Sequence, residues 1–322
     1  MCFGFDGDSA LRRSLEQRGM SRRSLIRGAA AGAAALGVGG ALAAPADAAG
    51  AAPGERGKGQ GGRRVPADKI SIQLYTMRDV MTGAGVDETL AKLAEIGYPR
   101  VELAGLYGRS AEDIRGVLDE LGLRSNSSHD GLSSDFAAFE TKLDNSETLG
   151  IEYINVPYLA SDSLADWQAW ADQMNNEAAA AKRRGFKYGY HNHAHEFTTD
   201  LGGGVTPWEV FMKELDPAYV HLEVDLYWAV TGGVNLGMSS DDAIDFAIDV
   251  VKQAPLKVRQ YHVKDRNEAT GDHADLGTGF IDFSKIFRAH QVEDYIVEND
   301  TPDVTPVQTA EVGYSYLRNL RF

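Results

Sequence analysis

Short apolar and β-branched runs alternate with longer segments of helical period along most of the chain, from Lys69 to the carboxyl terminus. Eight short runs predict β-strands, at residues 70–75, 100–104, 123–129, 153–157, 186–191, 219–225, 258–262 and 295–298. The longer segments predict helices at residues 86–96, 111–121, 135–149, 164–184, 207–214, 241–253, 282–290 and 306–320. Good capping residues precede several of these helices, including Ser110, Thr206 with Pro207 after it, and Ser239.

Eight strands alternating with eight helices over about 250 residues predict one α/β domain, a single (β/α)8 TIM barrel at residues 69–322. A doubly wound open sheet is the alternative, but no Gly-x-Gly-x-x-Gly motif follows the first strand. Gly202-Gly203-Gly204 follows a strand without the Lys and Ser/Thr of a phosphate-binding loop, so we interpret it as an ordinary loop. In a barrel of this kind, catalytic groups are expected at the carboxyl ends of the strands.

The first 48 residues predict a signal peptide of the twin-arginine type. Arg22-Arg23 precedes a Gly- and Ala-rich apolar stretch at residues 28–38, and Ala46-Asp47-Ala48 offers small residues for cleavage. The apolar stretch is too short and too rich in Gly and Ala to favour spanning a bilayer. We therefore expect export to an extracytoplasmic location (periplasmic, cell-surface or secreted) without stable membrane insertion after processing. Residues 49–68 predict a flexible linker to the barrel.

The composition, 43% hydrophobic and 25% charged, is typical of a soluble globular protein. The one cysteine, Cys2, lies in the predicted signal peptide, so the mature chain offers neither a disulfide nor a thiolate ligand. A metal would then be held by His, Asp, Glu, Asn or water. Such ligands favour a divalent metal ion (Mn, Mg, Co or Zn).

The chain is strongly acidic, with a formal net charge of −15. Removal of the predicted signal peptide, which carries six arginines and four acids, leaves about −17. Such a surface repels nucleic acid, and the predicted barrel has no basic patch to offset it. A small neutral substrate is therefore favoured over a strongly anionic one. The sequence leaves open whether the chain forms a homo-oligomer.

Polar side chains end six of the eight predicted strands. They are Glu102, His129, His191 with His193, Glu223 with Asp225, His262 with Lys264, and Glu298. The period-two alternation of a strand places each of the three pairs on one face, which would point into the barrel mouth. Metal-capable side chains are densest at residues 188–197, at the end of the fifth strand. This run predicts a metal site if other strands supply further ligands, and a polar loop if they do not.

Five motifs occur in order near the later strand ends. They are Tyr190-His191-Asn192-His193, Leu222-Glu223-Val224-Asp225, Tyr261-His262-Val263-Lys264-Asp265, Gly277-Thr278-Gly279-Phe280-Ile281-Asp282-Phe283 and Val297-Glu298. Together they resemble the sugar phosphate isomerase/epimerase family, also called the xylose isomerase-like barrel family, over nearly all of residues 69–322. The resemblance implies a small-molecule sugar or sugar derivative as substrate.

The resemblance also implies a divalent metal held by Glu, Asp, His and Glu from strands five to eight. Asp225, His262 and Glu298 match three of these positions. His191 falls where the family usually has glutamate, so it is the predicted fourth ligand. His193 and Glu196 are the alternatives for that place. Glu223 lies one layer deeper than Asp225 and is expected to orient a ligand.

The predicted activity is that of a metal-dependent sugar isomerase or epimerase. A metal holding the carbonyl and hydroxyl of a sugar would acidify the neighbouring C–H, and Glu298 or His193 could then remove the proton to give an enediolate. Lys264 is suited to stabilising an oxyanion. The predicted substrate contacts are Glu102, His129, Glu196 and Trp228.

Two other functions remain open. One is a lyase or hydrolase-like enzyme acting on oxidised (3-keto) glycosides, in which loss of a β-substituent follows the same proton abstraction. The other is a non-catalytic extracellular sugar-binding barrel that has lost activity together with the strand-five glutamate.

Overall fold

Eight parallel strands close into a barrel within residues 62–322, the part of the chain that the computed structural model describes. The barrel strands are β1 (Ile70–Gln73), β2 (Arg100–Leu103), β3 (Arg124–His129), β4 (Tyr153–Val156), β5 (Lys187–His191), β6 (Val220–Asp225), β7 (Lys257–Val263) and β10 (Asp294–Val297). Between β7 and β10, a short antiparallel pair is formed by β8 (Asp265–Arg266) and β9 (His273–Ala274). Around the barrel the order is β1, β10, β7, β6, β5, β4, β3, β2. Only β8 and β9 stand outside it among the described residues.

Helices follow the barrel strands. They are α1 (Gly85–Ile96), α2 (Ala111–Leu121), α3 (Phe136–Leu149), α4 (Leu164–Arg183), α5 (His195–Thr198), α6 (Pro207–Glu214), α7 (Leu226–Asn235), α8 (Ser240–Gln253), α9 (Phe283–Ala289) and α10 (Pro306–Asn319). Capping boxes begin α2 at Ser110, α6 at Thr206 and α10 at Thr305, so local hydrogen bonds fix where these helices start. The predicted single (β/α)8 barrel is confirmed.

Six elements of residues 62–322 were not predicted from the sequence pattern. They are α5, α7, the two strands β8 and β9, and two 3₁₀ helices at Ala67–Lys69 and Leu74–Met77, the second of which replaces the end of the first predicted strand. The stretch 226–235 that forms α7 contains β-branched residues and Gly232-Gly233, which lower its helix propensity. Its N-cap is Asp225, whose Oδ1 accepts a hydrogen bond from Trp228 N at 3.0 Å. A residue with predicted metal chemistry therefore also starts the helix that follows its strand.

Polar side chains fill the middle of the barrel, where branched apolar residues are usual. Asn155 Nδ2 donates to Gln260 Oε1 at 3.0 Å, and Gln260 Nε2 donates to Ser127 Oγ at 3.1 Å. His221 Nε2 lies 3.4 Å from the same Gln260 oxygen. This layer is less than 5% exposed, so its polar atoms depend on one another for hydrogen bonds.

Gly189 on β5 leaves room for this buried layer. A Cβ at this position would lie 2.4 Å from Asn155 Oδ1 and 2.5 Å from His221 Nε2. Any side chain would therefore displace two members of the hydrogen-bonded layer.

The predicted signal peptide at residues 1–48, and residues 49–61 of the predicted linker, lie outside the described residues. Val65 is 1% exposed and belongs to the hydrophobic core, so packing begins four residues before the predicted boundary at Lys69. In residues 62–322, no helix combines the length and the apolar character needed to cross a membrane.

Candidate metal and substrate site

The side chains predicted to carry chemistry meet at the carboxyl end of the barrel. His191 is the last residue of β5, Asp225 is the last residue of β6, and Glu298 directly follows β10. The pairing register shifts at Glu102 on β2 and at Glu223 on β6. Such irregularities re-aim the side chains that follow them, and both carboxylates here lie close to His262 Nε2.

Four side chains form the outer group, which is His191, Asp225, His262 and Glu298. Each offers one ligand atom, and these atoms all lie within 4.8 Å of one another. His262 Nδ1 lies 2.6 Å from Glu298 Oε2, and His191 Nε2 lies 3.6 Å from Asp225 Oδ2. All four side chains are at least 95% buried. The structure therefore brings the ligand set expected from the sequence into one buried cluster.

A second set of ligand atoms lies one layer deeper, and we call it the inner group. It consists of His129, His191, Glu223 and His262, again with one ligand atom each within 4.8 Å of the others. Glu223 Oε2 is its centre, because it lies 2.7 Å from His129 Nε2, 3.3 Å from His191 Nδ1 and 3.3 Å from His262 Nε2. The sequence indicated only an orienting role for Glu223, and its contact with three imidazoles was not anticipated.

The pKa values of the two imidazoles shared by these groups are shifted in opposite directions. Burial lowers the pKa of His191 well below its usual value, and the neighbouring His262 and His129 lower it further. Burial also lowers the pKa of His262, but Glu223 and Glu298 more than offset this and raise it well above its usual value. At neutral pH His191 is therefore neutral, which is the form that ligates a metal.

Lys264 is the permanent cation of the site. Its Nζ lies 2.8 Å from Asp225 Oδ2 and 2.6 Å from Glu298 Oε2, so it touches both carboxylates of the outer group. Burial opposes its charge, but Asp225 and Asp300 raise its pKa well above the usual value. Burial raises the pKa of Asp225 to about 6 even though Lys264 acts in the opposite direction.

Asp300 is a member of the site that sequence reasoning missed. Its Oδ2 lies 3.1 Å from Lys264 Nζ and 3.5 Å from His273 Nε2, which is on β9. The sequence did offer a signal for Asp300, because it lies two residues after Glu298 and residues two apart in extended chain face the same side. His273 could not be found in this way, because it reaches the site from the unpredicted β8–β9 pair.

Glu102 was expected to contact substrate, but the structure places it inside the barrel with fixed partners. It is fully buried, its Oε1 accepts from Ser127 Oγ at 2.5 Å, and its Oε2 accepts from Gln73 Nε2 at 2.8 Å. The same Oε2 lies 2.6 Å from His262 Nε2. These contacts favour a role in orienting the His262 ring over contact with a substrate hydroxyl.

Glu196 is likewise occupied within the protein. Its Oε1 accepts from Tyr190 OH at 2.6 Å, its Oε2 accepts from His193 N at 2.9 Å, and its side chain is fully buried. It belongs to neither group of ligand atoms. Glu196 thus fixes the backbone after β5, and these contacts favour a positioning role over the predicted substrate contact.

His193 and Trp228 form a wall beside the outer group. Their rings lie 5.2 Å apart, and Lys264 Nζ lies 5.7 Å from the Trp228 ring centre. His193 Nδ1 and Trp228 Nε1 are buried and have no hydrogen-bond partner in the protein. A polyhydroxyl ligand could supply both missing partners. His129, the remaining predicted substrate contact, has a side chain 10% exposed and turned toward Glu223.

The residues of the outer group fit a divalent metal ion. Neutral imidazole and carboxylate form a donor set suited to Mn, Co or Zn. His191 is 2% exposed, and Asp225 Oδ2 is buried with no hydrogen bond of its own despite its close contact with Lys264. Buried donor and acceptor atoms that lack a partner in the protein are those that an ion can satisfy.

Comparison with known proteins agrees with the architecture. Residues 90–319 match the model of the xylose isomerase-like TIM barrel family, and the chain belongs to that family. The family resemblance inferred from the strand-end motifs is thereby confirmed. No functionally curated protein matches the chain.

Solved structures share the fold at low sequence identity. A sugar phosphate isomerase/epimerase from Parabacteroides distasonis aligns with a TM-score of 0.64 and 24% identity, covering 79% of this chain and 94% of that one. A D-tagatose 3-epimerase-like protein aligns with a TM-score of 0.55 and 18% identity, covering 77% and 97%. The probable 3-DHS dehydratase AsbF of Bacillus anthracis aligns with a TM-score of 0.58 and 12% identity, covering 78% and 99%.

Proposed function

We propose that this protein is a divalent-metal-dependent sugar isomerase or epimerase that removes a proton next to a carbonyl. The observation that carries the proposal is the outer group, in which two imidazoles and two carboxylates from four strands converge at the carboxyl end of the barrel. Family membership and the similarity to the P. distasonis sugar phosphate isomerase/epimerase and the D-tagatose 3-epimerase-like protein support the choice of a sugar as substrate.

His191, Asp225, His262 and Glu298 would hold the ion. When bound, a divalent ion supplies Lewis acidity that polarises the carbonyl of the substrate. The rest of the chemistry belongs to the protein. Asp225 and Glu298 provide the negative charge that retains the ion, and Glu102 orients the His262 ring through its Nε2.

Two side chains are placed to move the proton. Glu298 Oε2 lies 2.6 Å from Lys264 Nζ, and this contact fixes the orientation of the carboxylate within the outer group. Burial and Lys264 lower the pKa of His193 well below its usual value, so this imidazole is neutral and can also accept a proton. Lys264 is suited to stabilising the oxyanion of the substrate enediolate.

The test is the exchange of the substrate C–H with solvent deuterium. Full-length protein purified without chelator is expected to contain a divalent metal near Asp225 and His262, detected by elemental analysis and anomalous scattering. With a free ketose in heavy water, it is expected to place deuterium next to the carbonyl, and chelation should stop the exchange. Glu298→Gln should lose exchange, whereas Glu88→Gln, an exposed helix carboxylate, serves as the matched control.

Three results would separate the functional alternatives. Elimination products from 3-keto glycosides, without ketose interconversion, would reassign the enzyme as a lyase. Sugar binding that persists without any exchange would indicate a non-catalytic barrel. Absence of any divalent metal in the purified protein would contradict the proposal itself.

We also propose export through the twin-arginine pathway, supported by Arg22-Arg23 and the apolar stretch that follows. A fusion of residues 1–61 to a reporter that must be folded before export is expected to leave the cytoplasm. Replacing Arg22-Arg23 by two lysines should retain the reporter inside, and unchanged export would contradict this route.

A further inference from the structure

His191 and His262 each face both groups of ligand atoms with different ring nitrogens. His191 presents Nδ1 to Glu223 at 3.3 Å and Nε2 to Asp225 at 3.6 Å. His262 presents Nε2 to Glu223 at 3.3 Å and Nδ1 to Glu298 at 2.6 Å. The inner and outer groups therefore share two rings but use opposite nitrogen atoms.

The spacing of the inner group is that of a coordination shell. Its three contacts to Glu223 Oε2 run from 2.7 to 3.3 Å. In tetrahedral coordination with metal–ligand bonds of about 2.1 Å, ligand atoms lie about 3.4 Å apart. The three nitrogens lie near this distance from the carboxylate oxygen, and all four ligand atoms lie within 4.8 Å of one another.

An unpartnered atom marks the inner group independently of this spacing. His191 Nδ1 is buried without a hydrogen bond, although its side chain is only 2% exposed. No lysine or arginine nitrogen contacts Glu223 among the ion pairs of the described residues, whereas Lys264 touches both outer carboxylates. An ion in the inner group has no ammonium to displace and must only take His262 Nε2 from its 2.6 Å contact with Glu102, whereas an ion in the outer group must compete with Lys264.

We propose that the inner group is a second cation position, which takes a zinc-like ion and is filled as an alternative to the outer position. Three imidazoles and one carboxylate form a set that suits zinc. The outer set accepts several divalent ions, but its two imidazoles and two carboxylates are harder than the inner set and so favour manganese more than the inner set does. The inference deepens the proposed function and rests on it, since both positions share His191 and His262.

The two positions exclude each other because a neutral imidazole ligates through one nitrogen. Simultaneous occupancy would require both shared rings to bridge two ions as imidazolates. Each chain therefore binds one ion at a time, and the identity of the ion determines its place. Only the outer position includes Glu298, the proposed base.

The test measures binding rather than turnover. Chelator-stripped, full-length protein is titrated separately with Zn(II) and Mn(II) by calorimetry, with elemental analysis of the dialysed complex. His129→Gln removes an inner ligand only, and Asp225→Asn removes an outer ligand only. His193→Gln is the control, because it removes a neighbouring imidazole that belongs to neither group. Glu223→Gln is the second inner variant. Melting in chelator verifies that each variant folds.

A crossed pattern is expected, with one ion per chain for either metal. His129→Gln and Glu223→Gln should lower zinc affinity at least about tenfold and leave manganese affinity unchanged, because losing a ligand costs at least as much as losing its support. Asp225→Asn should do the reverse, and His193→Gln should do neither. X-ray absorption of wild-type protein should show three imidazole neighbours for zinc and two for manganese, a readout that needs no variant.

Zinc affinity that depends on Asp225 and not on His129 would overturn the inner position while leaving the proposed function intact. Two zinc ions per chain would overturn the exclusion. Failure of the wild-type protein to bind either metal would instead contradict the proposed function itself.

Discussion

The two ends of the barrel both bury charged side chains, but they neutralise them in different ways. At the amino end, Asp294 accepts hydrogen bonds from Arg100 at 2.8 Å and from Asn126 at 2.9 Å. Glu293 beside it contacts Lys257 at 2.7 Å and Arg259 at 2.6 Å. Lysine and arginine stay charged throughout the neutral pH range, so the cations at this end are permanent.

At the carboxyl end, the buried carboxylates rely largely on imidazoles. Glu223 lies 2.7 Å from His129, and Glu298 lies 2.6 Å from His262. An imidazole can release its proton and offer a lone pair instead, which no arginine can do. This difference in the cations beside the carboxylates indicates that the amino end serves stability and the carboxyl end serves the exchange of protons and ions. Four predictions test this division.

The largest effect is expected for Glu298→Gln at the carboxyl end. The rate of deuterium exchange into substrate should fall by about 10³-fold, because a positioned general base contributes 10²–10⁴. The free energy of unfolding should fall less than in Arg100→Met, because Lys264 keeps its contacts with Asp225 and Asp300. Mass spectrometry of the product and urea denaturation measure the two effects. Exchange that is unaffected would remove Glu298 from the proton transfer.

Arg100→Met at the amino end should do the opposite. Removing the guanidinium leaves Asp294 buried and without a cation, which should lower the free energy of unfolding by about 3–5 kcal/mol. Manganese affinity should stay within about twofold, because the site lies at the far end of the barrel. Arg124→Met, an exposed arginine that starts β3, is the matched control. A loss of metal binding without a loss of stability would break the division.

A smaller, pH-dependent effect is expected from Asp294. Burial raises its pKa to about 6 even though Arg100 acts to lower it. The folded state therefore holds this proton more tightly than the unfolded chain does. The stabilisation is complete below about pH 4 and is lost as the pH rises through 6, by about 1–3 kcal/mol. Urea denaturation at pH 4.5 and 7.5 measures it, and Asp294→Asn should remove this component of the pH dependence. An identical pH dependence in the variant would contradict the assignment.

The smallest effect is expected for Lys257→Met. The Lys257 side chain is 60% exposed, and Glu293 keeps its contact with Arg259. The free energy of unfolding should change by less than about 1 kcal/mol, because solvent screens such a pair. Denaturation at low and high salt measures this. A loss as large as that of Arg100→Met would show that burial does not decide how strongly the amino-end pairs stabilise the barrel.

Much of the fold could be predicted because its signals are local. Helices α2 and α6 were predicted with the observed bounds, since Ser110 and Thr206 cap them and apolar periodicity fills them. Helix α7 could not, because Gly232-Gly233 argues against a helix. A Cβ at Gly232 would lie 2.8 Å from the Phe197 ring, so close packing requires glycine there. Tertiary contact overrides propensity in this segment.

The site divides in the same way. Position at the strand ends predicted that Asp225, His262 and Glu298 lie at one end of the barrel, and in the structure their ligand atoms lie within 4.8 Å of one another. Periodicity did not reveal that Ser127 and Gln73 occupy the Glu102 carboxylate. Those hydrogen bonds join strands that are far apart in the sequence, and a local pattern carries no information about them.

His191 separates what the sequence determines from what only the tertiary structure determines. The sequence alone determined that eight strands alternate with helices and that an imidazole ends β5. Both facts follow from the order of residues within short segments of the chain. The tertiary structure decided which nitrogen of that imidazole faces Glu223 and which faces Asp225. The physical reason is that ring orientation follows from side chains contributed by β6 and β7, at positions set by the register shift at Glu223.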